Sequence, residues 1–124
     1  MRDVRLKAVA RAIEARYPGS RVVIEPWEDF EAPVIQWWFS ILDVAPRHLV
    51  EAGRFAHEVG ERLYGGWERC PFYAGAMDRR SSRKFLEEKQ ALAAARRRFL
   101  ASRRRRAART KTRRPAAARR RAAG

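Results

Sequence analysis

Arginine side chains crowd the C-terminal end of the sequence. Residues 96–124 carry 14 positive charges and no negative charge, whereas residues 1–95 hold the other 15 basic residues and all 14 acidic ones. The net charge of +15 therefore arises almost entirely from this segment. Guanidinium groups form bidentate hydrogen bonds with phosphate and stack on bases, so the segment has the composition of a polyanion-binding arm. We expect all of these cations except Arg98 to contact phosphate. They are Arg96, Arg97, Arg103, Arg104, Arg105, Arg106, Arg109, Lys111, Arg113, Arg114, Arg119, Arg120 and Arg121.

The arginine-rich segment could also have arisen without a role in binding nucleic acid. Codon bias in a GC-rich genome favours Ala and Arg together, and a cationic tail can also aid solubility, bind an acidic protein or contact anionic lipid. Codon bias does not account for the loss of acidic residues after Glu88, since all 14 lie at or before that position. We therefore favour nucleic acid, DNA or RNA, as the partner. Binding should be largely independent of base sequence, because no major-groove recognition element is evident.

The remaining candidates for chemistry are scattered along the chain. His48 and His57 are nine positions apart on one predicted helix, which places them on opposite sides, so they cannot share a metal. The carboxylates of residues 25–31 lack the spacing of a calcium loop and fit a solvated turn. Cys70 is the only cysteine, and its apolar surroundings fit a buried, inert thiol. No nucleotide-binding, metalloprotease or nucleophile-elbow motif is present. We expect no catalytic residues, no metal, no cofactor and no enzymatic activity, with an enzyme as the least favoured alternative.

Aromatic residues concentrate in the middle of the chain. Trp37 and Phe39 share the apolar face of a predicted strand and should lie in the core, whereas Trp38 projects from the opposite, mixed face, where Trp27 could join it. A helix could cover this face and bury both residues. Alternatively, bases could stack on them, as on RNA-binding sheets, or a protein partner could contact them. We treat Trp27 and Trp38 as a possible stacking or partner surface.

Hydrophobic periodicity predicts three helices. A second helix over residues 46–64 should end in a left-handed cap at Tyr64-Gly65-Gly66. A third helix should be capped by Asp78 or Ser82, and its apolar stripe stops at Leu100. The predicted core face of the first helix is Leu6, Val9, Ala10, Ile13 and Tyr17, and that of the second is Leu49, Ala52, Ala56, Val59 and Leu63.

Three strands are predicted at 21–27, 33–44 and 70–77. The second strand has one continuous apolar face and one mixed face. The second and third strands are joined through a helix, so they should run parallel. The first strand can pair antiparallel with the second.

This order of elements predicts an α+β fold: a small three-stranded sheet with the order helix–strand–strand–helix–strand–helix, followed by a basic, partly helical or disordered C-terminal tail. We place the compact domain at residues 1–100 and the tail at 101–124. The order of elements resembles the general layout of small nucleic-acid-binding modules such as the K-homology fold. The helix–GxxG–helix with which that fold clamps a backbone is absent, because "YGGWERC" has adjacent glycines and no second helix before the strand. No functional residue is therefore carried over.

Charge and topology together predict a small, non-enzymatic, nucleic-acid-associated protein. Its compact domain would position the protein or contact a protein partner, and its tail would supply most of the affinity for nucleic acid. The alternative is a protein-interaction module that docks on a larger nucleoprotein machine, such as a ribosome, a polymerase or a phage assembly, with the tail as a tether. No apolar run approaches the roughly 18 residues of a membrane span, and a single cysteine fits a reducing compartment. We expect a cytoplasmic protein, associated with the nucleoid or the ribosome, and its oligomeric state stays open.

Overall fold

The chain forms three helices and a three-stranded mixed sheet, and the predicted α+β fold is confirmed. The computed structural model describes the backbone of residues 3–123 and the side chains of residues 3–110. Its elements are α1 (Val4–Arg16), β1 (Arg21–Pro26), β2 (Trp37–Leu42), α2 (Leu49–Tyr64), β3 (Phe72–Ala76) and α3 (Arg79–Ala123). Short 3₁₀ turns, Pro46–His48 and Trp67–Arg69, precede α2 and β3.

The chain divides into two compact units, Met1–Lys84 and Phe85–Gly124. The first unit contains the whole sheet with α1 and α2, and the second unit is helical. The boundary at residue 100 concerns which part folds independently, and it stays a prediction.

Helix α1 begins at a side-chain cap. The Asp3 carboxylate accepts a 2.9 Å hydrogen bond from the backbone N–H of Arg5, and so satisfies a donor that has no partner within the first turn. A helix of 13 residues is marginal in water by itself, so α1 depends on burying its apolar face. All five predicted residues of that face are buried: Leu6, Val9, Ala10, Ile13 and Tyr17.

Strand β2 lies at the centre of the sheet, whose order is β1-β2-β3. β1 pairs with it antiparallel, with Val22 opposite Ile41, and β3 pairs with it parallel, with Ala76 opposite Ile41 on the other side. Parallel neighbours need a crossover connection, and α2 supplies it. The predicted pairing of all three strands is therefore confirmed.

Strand β2 is shorter than the predicted strand 33–44, because it begins at Trp37. The residues before it form a turn, in which the backbone N–H of Ile35 donates to the carbonyl oxygen of Ala32 at 2.9 Å. Pro33 has no N–H to contribute to a strand ladder. The first four residues of the predicted strand thus belong to the loop.

One face of the sheet packs in the core against α2. Phe39 and Phe72 are both buried and stack with their ring centroids 4.2 Å apart. Helix α2 approaches them closely because residue 60 is glycine. A Cβ atom at Gly60 would lie 2.7 Å from the Phe72 ring and 2.8 Å from the Cys70 sulfur.

The second face of the sheet is buried at one end and partly open at the other. Ser40 and Leu42 are fully buried, whereas Trp38 is half-buried. The face predicted to be mixed is thus covered at the end at Leu42 and partly open at Trp38. Ser82, itself buried, closes this end, because its hydroxyl oxygen accepts a 2.8 Å hydrogen bond from the backbone N–H of Asp43.

Helix α2 buries Ala52, Ala56 and Gly60, which recur every four residues. Leu63 is 42% exposed, so this predicted core position was wrong; Leu63 lines an open groove that α2 shares with Ala8 and Ala12 of α1. Gly65 ends α2 with φ of 81°, which confirms the left-handed cap. The other predicted positions lie in or against the core: Leu49, Ala52, Ala56 and Val59.

Helix α3 begins at Asp78, one of its two predicted caps. The Asp78 carboxylate accepts a 2.8 Å hydrogen bond from the backbone N–H of Ser81, and this bond lowers the pKa of Asp78. Among the described residues, no helix is both long and apolar enough to span a lipid bilayer.

Candidate functional site

Helix α3 carries the predicted cluster of arginines. Between residues 96 and 109 of this helix lie eight arginines, all exposed, and we call them the arginine array: Arg96, Arg97, Arg98, Arg103, Arg104, Arg105, Arg106 and Arg109. Six other predicted cations lie outside residues 3–110, whose side chains the structure describes: Lys111, Arg113, Arg114, Arg119, Arg120 and Arg121.

The arginine array surrounds most of the helix. An α-helix turns about 100° per residue, so residues seven positions apart lie within about 20° of each other. The arginines form three such rows, about 100° apart around the axis: Arg96 with Arg103, Arg97 with Arg104, and Arg98 with Arg105. The array can therefore meet anionic groups on several sides at once.

The positive charges of the array have no internal compensation. In the part of the chain with described side chains, no carboxylate lies within ion-pair distance of any of these arginines. Sequence explains this, because Glu88 is the last acidic residue and stands eight positions before Arg96, beyond the reach of an i,i+4 pair. Arg103 lies over the Phe99 ring, 6.0 Å from its centroid. The guanidinium groups thus repel one another and leave their hydrogen-bond donors to solvent or to a ligand.

The first turns of α3 add further exposed cations, which belong to the first unit and were not among the predicted site residues: Arg79, Arg80, Arg83 and Lys84. They follow directly on the Asp78 cap, so their helical placement could have been inferred from the sequence. The first unit therefore has a group of exposed cations of its own.

Trp27 and Trp38, the predicted stacking or partner surface, lie together on the partly open face of the sheet. Their ring centroids are 5.4 Å apart, and Tyr73 joins them at 6.4 Å from Trp38. Trp27 is 45% and Tyr73 is 36% exposed. We call these three residues the aromatic layer. Tyr73 was missed, although the parallel pairing places it directly opposite Trp38.

The backbone of β3 fixes the Trp38 ring. A Cβ atom at Gly75 would lie 3.2 Å from this ring, so a larger residue would displace it. The indole N–H of Trp38 donates to the Ser40 hydroxyl at 3.1 Å. The Trp38 ring is thus fixed by its contact with the β3 backbone and by its hydrogen bond to Ser40. The more exposed rings of Trp27 and Tyr73 remain accessible to a base or to an apolar partner group.

A cavity of about 420 Å³ lies beside α2 within the first unit. Three separate segments form it: the loop before β2, one side of α2, and the residues from the second 3₁₀ turn into β3. The residues that line it are Ala32, Val34, Ile35, His57, Glu61, Trp67, Glu68, Cys70, Phe72 and Tyr73. The sequence contains no motif that would have indicated this cavity.

His57 and Cys70 share the cavity wall, although the sequence placed no histidine near the cysteine. The Nδ1 atom of His57 is 2.9 Å from the carbonyl oxygen of Gly53. Cys70 is buried, which confirms the prediction, and its sulfur lies 3.8 Å from the carbonyl oxygen of Phe72. Burial raises the pKa of the Cys70 thiol, so the site does not favour a reactive thiolate.

The other sequence candidates are structural. His48 lies 3.2 Å from the Glu51 carboxylate and shares no site with His57. Asp29 accepts hydrogen bonds from the backbone N–H groups of Glu31 at 3.0 Å and Ala32 at 3.2 Å, as expected of a turn. Among the described residues, no group of three His, Cys, Asp or Glu side chains could hold a metal ion.

Comparisons with known proteins add no assignment. No family model matches the sequence, and neither a curated protein nor a solved structure matches it. The chemistry of the arginine array, the aromatic layer and the cavity is therefore the basis for assigning a function.

Proposed function

We propose that the protein is a non-enzymatic DNA- or RNA-binding protein that contacts the phosphate backbone through the arginine array of α3. One observation carries the proposal: eight exposed arginines share one helix, and none has a carboxylate partner among the described residues. Like charges at helical spacing destabilise a helix. Phosphates placed between the arginines remove this repulsion, and each neutralised phosphate releases counterions, which favours binding.

The three rows of arginines suit a duplex. An α-helix fits the major groove, where its two sides approach the two phosphate backbones. The stretch from Arg96 to Arg109 is about 20 Å long at 1.5 Å per residue. Phosphate contacts fix position but carry no base information, so we expect affinity to depend on salt far more than on sequence.

The same geometry argues against a lipid surface as the main partner. An interfacial helix keeps a wide apolar face apart from its cations. Here Phe99 has Arg103 about 40° away on one side and Arg106 about 20° away on the other, at 100° per residue. Cations thus interrupt the apolar face that membrane insertion would require.

A second candidate function is docking on a larger nucleoprotein machine, with α3 as a tether to its nucleic acid. The aromatic layer favours this candidate, because Trp27 is 45% exposed and large exposed aromatic side chains are enriched at protein interfaces. Either function would place the protein in the cytoplasm, at the nucleoid or the ribosome.

The proposal is tested with nuclease-treated, full-length protein. Fluorescence anisotropy would measure its affinity for two unrelated DNA duplexes and one RNA single strand, and co-sedimentation would measure its affinity for phosphatidylserine vesicles. We expect similar affinity for both duplexes, reversed by salt, and weaker binding to vesicles. Binding to vesicles alone, or no binding to any nucleic acid at low salt, would overturn the proposal.

A further inference from the structure

The cavity beside α2 has the dimensions of a small-molecule site. Its volume of about 420 Å³ falls within the roughly 300–1,000 Å³ of typical ligand pockets. Most of its wall is apolar or aromatic, as in such pockets, and consists of Ala32, Val34, Ile35, Trp67, Phe72 and Tyr73. All of its lining residues lie within the first unit.

The polar groups of the cavity offer negative charge and hydrogen-bond acceptors. Glu61 and Glu68 line it, and neither has an ion-pair partner among the described residues. A carbonyl oxygen can only accept a hydrogen bond, so Nδ1 of His57 donates to Gly53. No lysine or arginine is among the lining residues.

We propose that this cavity binds a small amphipathic organic cation, in which a primary amine or guanidinium is attached to an aromatic or aliphatic group. The apolar group would pack against Ile35 and Phe72, and the cation would lie between Glu61 and Glu68. The indole of Trp67, which is exposed, adds cation–π attraction. An anion of the same size would meet two carboxylates, and a neutral analogue would leave both of them without a partner.

This site is independent of the arginine array and of nucleic-acid binding. The net charge of +15 repels cations at long range, but salt at physiological strength limits that repulsion to about 8 Å. Within the cavity wall the acidic groups are Glu61 and Glu68, and no lining residue is a lysine or an arginine.

Three probes of matched size test the charge preference: phenethylamine, 2-phenylethanol and 3-phenylpropionate. Nitrogen-15 NMR of the nuclease-treated full chain would follow the backbone signals of His57 and Cys70 and the indole signal of Trp67. We expect saturable shifts of these signals with phenethylamine, weaker shifts with the alcohol and none with the carboxylate. Equal shifts with the alcohol, or no shifts with the amine, would overturn the proposal.

Two variants test the site itself. Glu61→Gln combined with Glu68→Gln should weaken phenethylamine binding by about twofold to tenfold, the range expected of two exposed charge pairs, and Glu58→Gln should not. Val34→Arg should abolish binding, because its own guanidinium would occupy the cavity. Val50→Arg is the matched control, because Val50 is exposed and does not line the cavity. Circular dichroism would confirm that each variant is folded.

Other occupants give distinct results. A synthetic peptide with the sequence of residues 96–106 carries apolar side chains flanked by arginines. If it displaces phenethylamine and binds more tightly, the cavity takes a protein segment and the proposal fails. Self-association of the chain that Val34→Arg abolishes would make a second copy the occupant and overturn the proposal as well. Unchanged amine binding in Val34→Arg would place the amine elsewhere, with the same consequence.

Discussion

Tyr64 and Asp3 join the end of α2 to the start of α1. The Tyr64 hydroxyl donates a 2.8 Å hydrogen bond to the Asp3 carboxylate, across 61 positions of sequence. Burial opposes ionisation of Asp3, but the hydrogen bonds from Tyr64 and Arg5 outweigh it and lower the pKa of this carboxyl. Burial and the same hydrogen bond raise the pKa of Tyr64. This pair therefore makes the free energy of unfolding depend on pH in acid, through Asp3, and in strong alkali, through Tyr64.

Replacing Tyr64 by Phe should lower the free energy of unfolding by about 1 kcal/mol at neutral pH, the usual value of one hydrogen bond. Because the folded pKa of Asp3 is lowered, its contribution is complete above the unfolded pKa of about 3.9 and is lost as pH falls through the folded pKa. The raised pKa of Tyr64 makes its contribution complete below about pH 10 and lost at higher pH. Urea denaturation at several pH values should thus show a difference from wild type that shrinks in acid and in strong alkali. Tyr73→Phe serves as the control, and a difference that persists unchanged in acid would contradict the assignment.

Gly60→Ala should destabilise the protein although alanine favours a helix. The added Cβ atom would lie 2.7 Å from the Phe72 ring, and overpacking of this kind typically costs about 1–3 kcal/mol. Gly53→Ala on the same helix is the matched control, since its Cβ atom would meet its nearest neighbour at 3.6 Å. That change should be neutral or stabilising by up to about 1 kcal/mol. Thermal unfolding of both variants measures the contrast, and two variants of equal stability would show that α2 can move away from β3 at little cost.

Three aromatic residues should differ in their contributions to stability. Phe39→Ala should cost about 3–5 kcal/mol, the usual value for a fully buried ring. Trp38→Ala should cost less, because Trp38 is half-buried, and Trp27→Ala least, because Trp27 is 45% exposed. Chemical denaturation gives the order directly. Equal losses for Trp38 and Phe39 would mean that both faces of the sheet are fully covered, which would exclude base stacking on the aromatic layer.

Removal of residues 101–124 should leave the free energy of unfolding unchanged within about 1 kcal/mol, a small part of the roughly 5–15 kcal/mol of a typical domain. Of the described side chains of this segment, residues 101–110, all are exposed except the half-buried Ser102, so they contribute little burial. Urea denaturation of the chain that ends at Leu100 tests this expectation. A larger loss would move the domain boundary towards the C-terminus.

Replacing Arg103, Arg104, Arg105 and Arg106 by Ala should weaken nucleic-acid binding and its dependence on salt. If about six cations meet phosphates at once, the slope of log affinity against log salt on a duplex is about −5 in the wild type, and it should flatten in the variant. Two unrelated duplexes should lose affinity equally, because phosphate contacts carry no base information. Alanine is the better helix former, so lost helix cannot account for lost affinity.

A charge-matched control separates position from net charge. Replacing Lys7, Arg11, Arg54 and Arg62 by Ala removes four exposed cations from the first unit. Salt titration should show a much smaller change in slope for this variant. Equal changes in both variants would mean that the total charge governs binding, and a loss confined to one duplex would indicate an arginine that contacts a base.

Local periodicity predicted much of the fold. The five residues on the core face of α1 recur at helical spacing and are all buried. Connectivity then determined the pairing of the strands, because α2 is long enough for a parallel crossover. The predicted position of Leu63 failed because this residue borders an open groove between α2 and α1, and the periodicity of one helix does not show how closely its neighbour packs.

The site was only partly predictable for a similar reason. The exposure of the arginines follows from composition alone. Tyr73 contacts Trp38 through the register of two strands whose sequence positions are far apart, and the cavity needs Val34, His57 and Trp67 from three separate segments. Features that arise from packing between distant segments produce no pattern within any short stretch of sequence.

The sheet order β1-β2-β3 leaves the outer sides of β1 and β3 without a neighbouring strand in the sheet. Such edges are templates for the growth of aggregates, and natural proteins guard them with charge and with proline. In β1 the exposed Arg21 and Pro26 stand at the two ends of the strand. A solvated guanidinium at one end and a residue without an N–H at the other shorten the stretch on which a foreign strand could pair. The protein's resistance to aggregation during folding should therefore depend on these two residues, neither of which belongs to the hydrophobic core.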